Sequence, residues 1–205
     1  LRSGNTGDNP FKKKEVRQAL YQAIDIEAIK KKVMRGLSEP AGIITFPGVN
    51  GYTKDLDKRL PYDVDAAKKL LADAGYPKGF DVELRCPNDR YVNDEAICTA
   101  VVGMLGKIGV NVNLFAQTKS KHFKELKEDK GDFYMLGWGV PTLDSHYVFH
   151  YLYESGASWN KVNFSNSEVD AAIRVMEGEV DLDKRNAAIA NAWKIVKDDI
   201  SYLPL

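Results

Sequence analysis

FDVELRCPNDRYVNDEAICTAVVGMLGKIGVNVNLFAQ, residues 80–117, decides the fold. FDVELRC alternates apolar and polar side chains, the period of a half-buried strand. PNDRYVND (87–94) is dense in turn formers. EAICTAVVGMLGKI (95–108) is long and mostly apolar and reads as a packed helix. VNVNLFAQ (110–117) alternates again. Strand, helix, strand in this order predicts a right-handed crossover between two parallel strands, and so an α/β domain. Cys86 ends the first strand and Cys98 lies in the helix. A disulfide between them requires the helix to fold back over the strand end. Two buried free thiols are the plainer reading.

Upstream, KKKEVRQALYQAI (12–24) sets Val16, Leu20, Ala23 and Ile24 on one helical stripe. Asp25 caps a second helix, IEAIKKKVMR (26–35), whose basic residues fall in the later turns. Residues 37–62 carry Pro40, Pro47 and Pro61 with Gly42, Gly48 and Gly51. They read as a long irregular connection, uncommon in compact domains unless functional or packed on a partner. Asp63 caps VDAAKKLLADA (64–74), with Ala67, Leu70, Leu71 and Ala74 inward.

Downstream, HFKELKED (122–129) is a short helix and DFYMLGW (132–138) a third strand. SHYVFHYLY (145–153) reads as helix. Ser165 and Glu168 make a capping box for SNSEVDAAIRVM (165–176), with Val169, Ala172, Ile173 and Met176 as its core stripe. LDKRNAAIANAWKIVKDDI (182–200) buries Ile189, Ala192, Trp193, Val196 and Ile200. The sum is an α/β domain, a small mixed sheet flanked by helices.

The chain has 205 residues, 44% hydrophobic and 28% charged, an ordinary globular balance. Twenty-nine basic and 29 acidic residues cancel, which argues against a nucleic-acid partner. The runs Lys12–Lys14 and Lys30–Lys32 read as solvated helix faces. No apolar run approaches the roughly 18 residues of a membrane span, and LRSGNTGDNP (1–10) has no signal-peptide pattern. The polar start, and the stop at SYLPL straight after a helix, suggest an excised domain.

Catalytic motifs find no support. There is no G-x-G-x-x-G or Walker A loop, and no cofactor is called for. GASWN (156–160) places Asn160 where a nucleophile elbow needs its second glycine. His146 and His150, four apart, form a possible metal triplet with Asp144, but Tyr147 follows His146 where the zinc-protease motif has Glu. Hydrogen-bonding histidines are the plainer reading. A hydrolase of unknown class and a structural interaction module are the remaining alternatives.

Several segments together resemble one family. PFKKKEVRQALYQAID (10–25), PYDVDAAKKLLADAGYPKGF (61–80), KIGVNV (107–112), GDFYMLGWG (131–139), NFSNSEVDAAI (163–173) and LPL (203–205) occur in matching order. The set resembles the extracellular solute-binding proteins that feed peptide and nickel ABC importers, including the dipeptide-, oligopeptide- and glutathione-binding types. The resemblance implies a periplasmic-binding-protein-like lobe over residues 1–205, the later of two lobes that close on a solute. Its implied partners are a small-molecule or peptide solute, the missing first lobe of the same chain and an ABC transporter membrane permease. It implies a periplasmic or extracellular home, with the complete protein free or membrane-anchored, and no enzyme activity.

The resemblance also implies the site. Gly137 and Gly139 would permit backbone turns at a strand exit, so that Trp138 presents a flat wall to the cleft. In peptide-binding relatives an aspartate three residues after this tryptophan meets the ligand's amino terminus. Pro141 stands there, leaving Asp144 as the nearest acid, with His146 beyond it. In a dipeptide-binding relative an arginine of the 87–94 loop holds the ligand carboxylate. Arg90 occupies a similar place, with Asn88, Tyr91 and Asn93 around it. A core tryptophan and a solvent-facing turn are the plainer readings of the two segments. A lobe binding nickel or a metal chelate is the alternative function.

Overall fold

A computed structural model describes residues 1–2 and 7–205. Its helices are α1 (Lys14–Ala23), α2 (Ile26–Ala28), α3 (Val64–Asp73), α4 (Asp94–Gly106), α5 (Lys119–Lys127), α6 (His146–Val148), α7 (Ser167–Gly178) and α8 (Leu182–Asp199). The strands are β1 (Phe80–Pro87), β2 (Val110–Gln117) and β3 (Phe133–Tyr134). They form one sheet in the order β2-β1-β3. The expected β1–α4–β2 crossover is present, with Phe80 opposite Val110 and Pro87 opposite Gln117 in parallel register. The third strand joins the other edge of β1, also parallel, so the described sheet is parallel throughout rather than mixed.

Side-chain caps start four of the eight described helices, α2, α3, α7 and α8. Asp25 accepts from Ala28 N and Asp63 from Ala66 N. These bonds satisfy amides that an exposed helix start leaves unpaired. Residues Ile29–Val33 and Phe149–Tyr153 are helical as expected but wound as π turns, which continue α2 and α6. The start of α7 differs from the expected capping box. Asn166, not Ser165, is the N-cap, and its side chain accepts from the amides of Glu168 and Val169. Ser165 is turned instead to the Ser155 hydroxyl, 2.9 Å away. The α7 stripe Val169, Ala172, Ile173 and Met176 is buried, as are Ile189, Ala192, Trp193, Val196 and Ile200.

The third strand is much shorter than DFYMLGW implies, and proline chemistry explains it. With Arg85 opposite Tyr134, Met135 N donates to Arg85 O at 2.9 Å. The next rung of a parallel ladder would run from the N–H of residue 87 to Met135 O. Pro87 has no N–H. Met135 O is met instead by Nε2 of the fully buried His122, 3.0 Å away. The imidazole therefore donates through Nε2. Residues 136–140 leave the sheet.

Cys86 and Cys98 are not free thiols. They form a disulfide that joins the end of β1 to the first half of α4. The helix does fold back over the strand, because the crossover packs it there. Met135 Sδ lies 3.8 Å from Cys86 Sγ and 3.6 Å from Cys98 Sγ.

Two hydrophobic cores result. One surrounds the sheet and takes Phe11, Val16 and Leu20 from the N-terminal helix region, Leu71 from α3 and Leu105 from α4. The other joins Ile43, Val49 and Leu56 of the 37–62 connection to Phe149, Ile173, Ile189 and Trp193. That connection is thus packed within the chain. Asn50 bridges in parallel to Asp144, with Asn50 N donating to Leu143 O and Ser145 N to Asn50 O. Buried Trp193 donates to Ser145 Oγ at 3.1 Å, and Ser145 Oγ donates on to Asn50 O. A Cβ on Gly51 (φ +89°) would stand 2.4 Å from Ile189 Cγ2, so only glycine fits against α8 here.

Two outcomes test this account. Reducing the disulfide, or the Cys86→Ala/Cys98→Ala pair, should lower unfolding free energy by about 2–4 kcal/mol. Urea unfolding with and without reductant measures it, and an unchanged midpoint refutes the tie. Burial, opposed by the Met135 carbonyl, lowers the His122 imidazole pKa below its ordinary value. The unfolded chain then binds the proton more readily. Stability should therefore be held above about pH 6.5 and fall as the pH drops below it. A His122→Gln variant, which keeps a donor for Met135 O, should flatten that slope in urea melts between pH 7 and 5.

Candidate functional site

The segments that leave β1 and β3 converge. Beyond Pro87 the chain turns through Asn88, Asp89 and Arg90 and is held by buried Asp94. One Asp94 carboxylate oxygen accepts from Arg90 N and Tyr91 N, both at 2.9 Å, and the other accepts from Glu95 N at 2.9 Å. Burial pushes this carboxyl up, but the three amides outweigh it and hold its pKa below the ordinary value. Asp94 escaped the sequence reading. Its signal was present: an acid in the first turn of a helix, following a loop that must close.

Tyr91 carries the loop across to the β3 exit. Its hydroxyl donates to Gly137 O at 3.4 Å. A Cβ on Gly137 would lie 2.6 Å from Tyr91 Cε1. Close approach of the tyrosine ring therefore explains Gly137, and neither Gly137 nor Gly139 has a positive φ. Around Gly139 there is open space. The exposed Arg90 guanidinium sits over the Tyr91 ring, 5.1 Å from its centroid.

Trp138 follows, half-buried, with ring centroids of Tyr147, Tyr151 and Trp159 each 5.9 Å away. These three partners were not anticipated, because the residues that bring them together are separated along the chain. Trp138 and Tyr91 line a cavity of about 430 Å³ between the two cores. Ile43, Phe46, Leu84 and Tyr202 share its wall. Among the lining residues, Thr45 Oγ1 and Trp138 Nε1 are buried without a hydrogen-bonding partner among the described residues. Buried polar groups are seldom left so.

The other expected residues lie elsewhere or are otherwise engaged. Asn88 and Pro141 are exposed. Asn93, at φ +55°, donates to Val33 O at 3.0 Å and ties the loop to the α2 segment. Asp144 takes both nitrogens of the Arg185 fork, at 2.8 and 2.9 Å, and the Asn50 amide at 3.1 Å. Burial raises its carboxyl, but the Arg185 bonds, with the His146 amide and Asn50, hold its pKa below the ordinary value. His146 faces Glu177, at 3.4 Å, and stacks on His150. The third member of the histidine cluster is therefore Glu177, not Asp144.

The geometry brings Tyr91, Gly137 and Trp138 into one cavity wall, with exposed Arg90 stacked on Tyr91 outside the lining. It offers recognition chemistry: an apolar wall, a buried indole N–H and an adjacent guanidinium.

Known proteins share this architecture. The family model for bacterial extracellular solute-binding proteins, family 5 (middle), matches residues 3–160. Heme-binding protein A of Haemophilus influenzae is 29% identical over 209 residues, covering 98% of this chain and 38% of that protein. The dipeptide-binding protein of Escherichia coli is 30% identical over 166 residues, covering 80% and 31%. Among solved structures, the dipeptide-binding protein of Pseudoalteromonas sp. SM9913 in complex with Met-Leu superposes with a TM-score of 0.87 at 28% identity. That match covers 100% of this chain and 41% of that one. The chain thus spans well under half the length of these relatives. Members of this family are solute-binding proteins rather than enzymes. No described helix is long and apolar enough to cross a membrane. With matching motifs, fold and family model, the chain belongs to family 5 of the bacterial extracellular solute-binding proteins.

Proposed function

We propose that residues 1–205 are one lobe of the substrate-binding component of an ABC importer, capturing a peptide or peptide-like solute against a second lobe. The meeting of the Arg90–Tyr91 loop with Gly137–Trp138 at the rim of an apolar cavity carries this reading. Ligand sites in open α/β sheets gather outside the carboxyl ends of strands, where both segments begin. The 38% and 31% coverage of the two relatives supports assignment to a part of a larger binding protein. A permease of the same transporter would read the closed state.

Each group has a chemical task. Trp138 gives a flat apolar face and an indole N–H to a ligand side chain or backbone carbonyl. Arg90 gives two parallel charge-assisted bonds to a carboxylate. Its stacking on Tyr91 orients the guanidinium at low entropic cost. Asp144 is already paired with Arg185, so it is not free to meet a solute's amino group.

Calorimetry of the two-lobed protein with a dipeptide pool and with glutathione tests the reading. Arg90→Ala should weaken binding of a free-carboxylate ligand about 10–100-fold and leave its C-terminal amide unaffected. Trp138→Ala should weaken both. Equal affinity of wild type and Arg90→Ala for the free acid removes Arg90 from the site.

A further inference from the structure

One cluster lies outside the cavity lining. His146 starts α6, His150 sits one turn on in the π-wound segment, and Glu177 projects from α7. A ring nitrogen from each histidine and a carboxylate oxygen of Glu177 lie within 4.8 Å of one another. His146 Nε2 and Glu177 Oε1 are 3.4 Å apart, and His150 Nδ1 and the same oxygen 4.0 Å. The imidazoles stack, with centroids 5.6 Å apart and planes 23° from parallel. Glu154 stands 2.8 Å from His150 Nδ1. Among the described residues, the ion-pair partners of Glu154 and Glu177 are these two imidazoles and no lysine or arginine.

We propose that His146, His150 and Glu177 bind a divalent transition-metal ion that pins the α6 turn to α7. Three observations carry this. Two histidines four apart share one helical face and are joined by a carboxylate from a second helix, a donor set that suits Zn²⁺ or Ni²⁺. The spacing is close to what coordination needs. Bonds of about 2.0–2.1 Å in a tetrahedron place donors about 3.3–3.5 Å apart. One pair already has that separation, and the widest must close by no more than about 1.5 Å. The three side chains are partly exposed, at 28%, 42% and 46%, and free to make that adjustment. Finally, among the described residues neither Glu154 nor Glu177 has a lysine or arginine as ion-pair partner, so both carboxylates are left for a bound cation.

The consequence reaches Trp138. Tyr147 and Tyr151, each next to a liganding histidine, pack on its ring. Metal occupancy stiffens the turn that backs this aromatic wall. The ion is a structural clamp, distinct from any transported solute.

Titration of the 205-residue chain with Zn²⁺ alone, by calorimetry and thermal melting, tests the proposal. The expected result is saturation at one ion per chain, with Tm raised by about 5–10 °C at 100-fold excess over Kd. His146→Ala and His150→Ala should each remove the shift, and Glu177→Gln should weaken binding by more than about tenfold. Metal-free Tm and circular dichroism verify that the variants fold. Co²⁺ absorption in the visible, present in wild type and lost in His150→Ala, gives a second readout. Failure to saturate at one ion, or a shift that survives the His146→Ala/His150→Ala pair, overturns the proposal.

Discussion

A parallel ladder needs an N–H at every second residue of the strand, and Pro87 has none. That missing donor shapes this molecule more than any single contact. It stops β3 after Phe133–Tyr134 and frees Met135 O for His122. The chain then crosses from the sheet core toward the second core, carrying Leu136 and Trp138 with it. The 430 Å³ cavity lies between the two cores, with this crossing in its wall. Had the ladder continued, Trp138 would have been a residue of a longer strand rather than part of a cavity rim.

The opposite rim is held by a different device. The ladder to β2 ends where Asn88 N donates to Gln117 O, and the loop beyond is fastened at both ends. The disulfide anchors Cys86 to α4, and Asp94 gathers the amides of Arg90, Tyr91 and Glu95. A buried carboxylate with three N–H donors is well compensated, which is why it can remain ionised. The loop is thus fixed at its base while Arg90 extends into solvent. A recognition group gains from such pre-organisation, because less freedom is lost when a ligand arrives.

The 37–62 connection closes the arrangement. Its length marks it as a loop that must be functional or packed, and here it is packed. Ile43, Val49 and Leu56 complete the second core, while Ile43, Thr45 and Phe46 line the cavity. Without it α8 would present Ile189 and Trp193 to water, at a cost of about 1.5–3 kcal/mol for each large apolar side chain uncovered.

Local chemistry made much of the fold legible. Period-two and helical patterns located β1, α4 and β2, and the carboxylates of Asp25 and Asp63 marked two helix starts. The ordered motifs pointed to the solute-binding family, which the comparisons bear out. Each of these signals lies within a few residues of its structural effect. Other features depend on partners far along the chain. The end of β3 depends on Pro87, some fifty positions earlier. The Cys86–Cys98 bond depends on where the crossover lays α4. The occupancy of Asp144 depends on Arg185, and the third member of the histidine cluster is Glu177 of another helix. Sequence patterns determined the elements and the family because propensity and hydrophobic period are local. Tertiary structure alone decided which side chains face the cavity and which are paired, because hydrogen bonds and ion pairs are assigned only once the elements have packed.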